Sequence, residues 1–167
     1  MTDSYQTITA PATGEFKDRG SKFFGYAYPV RSEEEALQWL EMLRKEHFKA
    51  RHHCFAWRLG VEGSRFRAND DGEPGGTAGR PILGQIDAFG LTDVFIVVVR
   101  YFGGTLLGTS GLIHAYREAA AAALAELPRK PPASGQPEKE GRGESWSGGQ
   151  YLEQAGRAHA AADAHGD

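Results

Sequence analysis

Val94-Phe95-Ile96-Val97-Val98-Val99-Arg100-Tyr101 is the stretch on which the fold turns. An unbroken apolar run, mostly β-branched, suits a strand covered on both faces. An arginine closes the run. Phe102-Gly103-Gly104-Thr105-Leu106-Leu107-Gly108-Thr109-Ser110-Gly111 then follows as a glycine-rich turn. Beyond it, Leu112, Ile113, Tyr116, Ala120, Leu124 and Leu127 recur at helical spacing until Pro128 stops the pattern. The order is therefore buried strand, loop, helix.

Working outward, Tyr5–Thr9 and Ser21–Val30 read as strands, the second carrying Phe23, Phe24, Tyr26 and Tyr28. Ser32 with Glu35 forms a capping box. The run Glu33-Glu34-Glu35 suits the positive end of a helix dipole, and Ala36, Leu40 and Leu43 share the face behind it. His53–Leu59 reads as a strand that Ser64–Arg67 can pair with. Glycine and proline break every period across Asn69–Arg80, which is a loop. Pro81 then opens a short helix through Ile82, Leu83, Ile86 and Phe89. Helices interrupt the strands without strict alternation, which favours an α+β sandwich over a doubly wound sheet.

The composition bounds the function. The chain has 167 residues, 40% of them hydrophobic, and 19 Lys+Arg against 22 Asp+Glu give a net charge of -3. That excludes a strongly basic protein held on nucleic acid by bulk electrostatics. No apolar run reaches the ~18 residues of a membrane span, and the N-terminus does not read as a signal peptide. The lone Cys54 excludes an internal disulfide framework and fits a reducing, cytoplasmic setting. Residues 1–127 form the expected domain. Pro128–Asp167 holds Pro, Gly, Ser, Ala and charge, with Trp146, Tyr151 and Leu152 its only large apolar side chains. It is expected to be disordered.

Two loops could carry chemistry. Gly103, Gly104 and Gly108 would let backbone N–H groups converge on an anion, with Thr109 or Ser110 capping the following helix and Arg100 reaching the same ligand. The turn nearly spells a phosphate-binding P-loop, but Thr109 stands where that motif needs lysine. Asp70, Asp71 and Glu73 offer acid/base or metal-linked carboxylates, though their spacing fails the EF-hand pattern. Thr77 and Arg80 add a hydroxyl and a charge. His52 and His53 would point to opposite sheet faces, so both cannot serve one metal. They or His114 could act as a base only where the fold supplies a nucleophile such as Ser110 or Thr77. No metal and no cofactor are expected.

Four blocks, taken together, resemble the YigZ/IMPACT family: Lys22–Phe24, Ala50–Trp57, Asp70–Pro81 and Val98–Tyr116. The resemblance covers essentially residues 5–127. It implies a two-layer α/β sandwich similar to the second domain of small-subunit ribosomal protein S-five. It also implies a part in translational control, with RNA, the ribosome or a protein as partner. Bacterial members of the family usually continue into a ferredoxin-like domain, whose place the Pro128–Asp167 segment takes. His114 and Ser110 depart from the family pattern and thin the fixed positive charge near the loop. A regulatory, non-catalytic module is the preferred reading. An enzyme acting on a phosphorylated or carboxylated small molecule at the same loops is the alternative.

Overall fold

A computed structural model describes residues 6–125. The expected tail, Leu127 and the helix stop at Pro128 lie outside them. Eight elements follow in order: β1 (Ala12–Asp18), β2 (Ser21–Pro29), α1 (Glu33–Glu46), β3 (His52–Leu59), β4 (Arg65–Asn69), α2 (Gly79–Ala88), β5 (Val94–Tyr101) and α3 (Gly108–Ala125). The strands form one sheet in the order β1-β2-β5-β3-β4, and every neighbouring pair is antiparallel. The apolar run Val94–Val99 is the central strand, and each of its residues is buried.

Alternation along the strands builds two cores. Phe23, Ala27, Cys54, Ala56, Val94, Ile96 and Val98 face α2 and α3. Phe24, Tyr26, Tyr28, Phe55, Trp57, Phe95, Val97 and Val99 face Ala36, Leu40 and Leu43 of α1. The mixed α+β architecture expected from the element order is observed, with helices covering both sheet faces.

Local signals place α1. The Ser32 hydroxyl accepts from the Glu35 N–H at 3.1 Å, while the Glu35 carboxylate accepts from the Arg31 N–H at 2.6 Å, one residue before the cap. The expected strand at the N-terminus is not found over Gln6–Thr9. Gln6 makes only an isolated parallel bridge to Leu91. The first strand is instead Ala12–Asp18, whose one large apolar residue, Phe16, gives a weak periodic signal. Its edge position, with Thr13, Glu15 and Lys17 exposed, explains the polarity.

Helix α3 crosses β1 and β2 at backbone distance. A Cβ on Gly25 would stand 2.5 Å from the Ala119 carbonyl oxygen. Gly25→Val is therefore expected to overpack this crossing at a cost of about 1–3 kcal/mol, lowering the Tm by roughly 5–15 °C. Gly104→Ala, with φ of +91° but nothing within 4 Å, is expected to lose only about 1 kcal/mol to backbone strain. Thermal unfolding followed by circular dichroism checks the pair. Equal losses would contradict the assigned packing.

Candidate functional site

Each glycine-rich loop sets a residue against Arg100 at the end of the sheet where β5 finishes: Glu73 from the first and Phe102 from the second. Arg100 is 5% exposed, and its NH1 donates to Glu73 Oε2 at 2.7 Å. The same carboxylate oxygen accepts from the Tyr116 hydroxyl of α3 at 2.5 Å. Arg100 NH2 lies 3.4 Å from Ser21 Oγ, which itself accepts from the Gly103 N–H at 3.1 Å. Phe23 and Phe102 line the guanidinium, with ring centroids 5.4 and 5.5 Å away. One buried ion pair thus joins the acidic loop, the central strand, α3 and the β1–β2 turn.

Each predicted carboxylate has a separate task. Asp70 accepts from the N–H groups of Gly76, Ala78 and Gly79 at 2.9, 3.1 and 2.8 Å. It therefore caps α2 from outside the helix, where Ala78 offers no side-chain acceptor of its own. Asp71 accepts from the His53 N–H at 2.6 Å. Glu73 turns inward to Arg100. The three point to different partners, and no metal-holding group of three ligands occurs among the described residues. Thr77 is buried and gives its hydroxyl to the Pro74 carbonyl at 2.6 Å, while Arg80 is exposed.

The histidines separate as the strand period requires. His52 Nδ1 donates to the Asp71 carbonyl at 2.8 Å, which leaves Nε2 3.7 Å from Glu73 Oε2. His53, on the other face, donates from Nε2 to the His47 carbonyl at 3.0 Å and keeps Nδ1 3.8 Å from Asp71 Oδ2. His114 is exposed, packs edge-on against Phe16 at 5.4 Å, and accepts from Arg117 at 3.3 Å.

The second loop is a surface feature. Gly103 lies so close to the β1–β2 turn that a Cβ would stand 2.0 Å from the Gly20 carbonyl carbon. From that clamp the chain runs out through Gly104, Thr105 and Leu106, all exposed, with Leu106 81% exposed. Helix α3 begins at Gly108, so Thr109 and Ser110 lie in its first turn and not at its cap. Leu107 returns to the core.

Burial sets the ionisation of the enclosed groups. It pushes the Cys54 thiol well up, and Sγ donates to the Asp70 carbonyl at 3.0 Å. A protonated, enclosed thiol packs as a small apolar group. Burial, reinforced by Cys54 and Glu73, raises Tyr116 and keeps it a donor. Burial also lowers His53, outweighing its backbone bond and the Asp71 charge. For Asp70 burial pulls upward, but the three backbone donors and Arg80 together hold the carboxyl below its ordinary value.

The sequence pointed to both loops but not to two of the groups that join them. Tyr116 read only as a helix-face residue, and Ser21 only as the start of a strand. A hydroxyl at an otherwise apolar strand end was the available signal.

The model of the Impact N-terminal domain matches residues 19–124. The chain belongs to this IMPACT family. It is 40% identical over 127 residues to the IMPACT family member YigZ of Escherichia coli (strain K12), covering 75% of this chain and 62% of that protein. A crystal structure described as that of a hypothetical protein superposes with a TM-score of 0.74 at 39% identity, covering 77% of this chain and 64% of that one. A solved chain described as the two-domain translational regulator Yih1 is 32% identical, with a TM-score of 0.42, and covers 73% of this chain and 47% of that one. The IMPACT chain described here thus spans less than two thirds of the length of each.

Glu73→Gln leaves a buried guanidinium without its counter-charge and is expected to cost about 3–5 kcal/mol. Tyr116→Phe removes one bond to a charged acceptor and is expected to cost about 1.5–3 kcal/mol. Urea unfolding reads both, and a loss below about 1 kcal/mol for Glu73→Gln would contradict the pairing.

His53 and Asp70 are both depressed, so each gives stability that is complete above its unfolded pKa and lost as pH falls through the folded one. Stability is expected to decline first below His53's ordinary value of 6.5 and again below Asp70's ordinary value of 3.8. His53→Gln should flatten the first limb and Asp70→Asn the second in unfolding curves taken across pH.

Proposed function

We propose that this IMPACT-family chain is a translation-associated regulatory protein that docks on RNA, the ribosome or a protein partner through its glycine-loop surface. Family membership and the translational role implied by the resemblance supply the context. The observation that carries the reading is the loop Phe102–Leu107, clamped at Gly103 and anchored at Leu107 yet exposing Gly103 to Leu106 between them. Leu106 stands 81% exposed on a loop held at both ends, and this supports reading the loop as a contact surface. The reading also places the protein in the cytoplasm. No helix among the described residues is long and apolar enough to cross a membrane.

The enzymatic alternative draws less support from the geometry. It needs Arg100 to stabilise charge on a ligand, and that guanidinium is already matched by Glu73. It needs a carboxylate as base or metal ligand, and Asp70 is engaged by three backbone donors.

Sedimentation of the full chain with purified ribosomes, beside its effect on a cell-free translation reporter, tests the reading. Leu106→Asp, at a position 81% exposed, is expected to remove binding and the reporter effect while leaving the Tm unchanged. Wild-type behaviour of that variant would take docking away from the loop. No ribosome binding together with no reporter effect would overturn the role in translation.

A further inference from the structure

The two edges of the sheet are finished differently. At the β1 edge, α3 covers one face so closely that a Cβ on Gly14 would run into the Ala123 backbone nitrogen. The other edge is β4, which pairs with β3 alone. Arg65, Phe66, Arg67 and Ala68 are exposed without a break. The outer row of backbone N–H and C=O groups on β4 meets no other strand among the described residues, and such a row is a template for one more strand.

Register sorts the side chains of β4 by face. Arg67 stands opposite Trp57, which belongs to the core under α1, so Arg65 and Arg67 share the α1 face. Their Cα atoms are about 7 Å apart, the spacing of alternate residues in any extended chain. Arg65 lies 6.0 Å from the Trp57 ring centroid and forms no ion pair among the described residues. Arg67 has one long pair, to Glu33 at 3.9 Å, and both of those side chains are about half exposed.

Phe66 takes the opposite face, beside Arg58 of β3. Arg58 is already engaged. Its guanidinium forks onto Asp87 of α2 at 2.8 and 3.1 Å and stands 4.8 Å from the Phe66 ring centroid. Phe66 is still 57% exposed. Glu62, in the turn before β4, is exposed and lies outside the strand. Along β4 the two faces therefore present different chemistry: two arginines on one, an uncovered ring on the other.

We infer that β4 is a docking edge for an extended, acidic segment of another protein, which joins the sheet as one more strand. Backbone bonds supply the affinity of such an addition, and alternate side chains supply the choice of partner. Acidic residues two apart meet Arg65 and Arg67 as cross-strand pairs of opposite charge, and an apolar residue between them covers Phe66. A second copy of this chain is the wrong occupant. Antiparallel pairing of β4 with itself about Arg67 sets that arginine against its own copy, and pairing about Phe66 sets Arg65 against Arg67. The edge is separate from the glycine loop, so the inference does not rest on the functional reading.

Amide NMR spectra of the full chain, titrated to about 1 mM with a capped peptide of about six alternating glutamate and valine residues, test it. Shifts are expected along Arg65–Asn69, with binding weaker at higher salt. A lysine-and-valine peptide of the same length should bind at least about 10-fold more weakly. Arg65→Glu with Arg67→Glu should weaken the acidic peptide by at least about 10-fold, with circular dichroism unchanged. Methylating the peptide's backbone nitrogens at its glutamates, or at its valines, blocks one strand edge or the other, so at least one methylated form should fail to bind. No shift in β4, equal binding of the lysine peptide, indifference to the arginine variant, or full binding of both methylated forms would each overturn the assignment. Concentration-dependent shifts in β4 without peptide would overturn it too, and would give the edge to a second copy. Shifts confined to residues 103–107 would overturn it by moving the peptide to the glycine loop. Failure at β4 with ribosome docking intact leaves the functional reading standing.

Discussion

The ion pair between Glu73 and Arg100 holds one end of the sheet together. Their side chains are only 3% and 6% exposed, so both charges have lost most of their water. Such a pair is favourable only when further bonds satisfy it. Tyr116 gives its hydroxyl to the carboxylate, and Phe23 and Phe102 offer ring faces to the guanidinium. The consequence is topological. A loop between β4 and α2, the end of β5 and the middle of α3 are far apart in sequence, and one carboxylate fixes all three. A glycine-rich loop would otherwise wander, because each glycine carries a large conformational entropy.

The acidic loop shows how one short segment divides three like charges. Side by side in solvent they would repel. Here Asp70 takes the positive end of α2, Asp71 takes a β3 backbone donor and Glu73 takes the guanidinium. Each charge is spent on a different element, so the loop is a bracket between β3, α2 and β5. That arrangement draws Asp70 and Glu73 into internal bonds, while the loop between β5 and α3 stays exposed.

How much of this was legible follows from the range of each interaction. The Ser32 cap, the Ala36–Leu40–Leu43 stripe and the Val94–Tyr101 strand depend on neighbours a few residues away, and their patterns stood out in sequence. The first strand did not, because Gly14 and the exposed Thr13, Glu15 and Lys17 erase the apolar alternation. The loops were recognised from their glycines, but the meaning of Arg100 was not. A strand-end arginine reads equally as a surface charge or an anion ligand. Its partner is 27 positions back, and only the sheet order brings them together. The expected cap by Thr109 or Ser110 failed because α3 begins at Gly108, inside the loop as read.

A net charge of -3 does not decide what each end of the sheet attracts. Helix α1 carries Glu33, Glu34 and Glu35 in its first turn and Arg44 and Lys45 in its last. At 1.5 Å per residue those ends stand roughly 20 Å apart. That is about twice the screening length at physiological salt. The acidic turn therefore does little to the field around Arg44 and Lys45, and the charges that favour the helix dipole also separate the two signs along the helix. Helix stability and surface electrostatics draw on the same residues here, so reversing the charges at either end of α1 would disturb both.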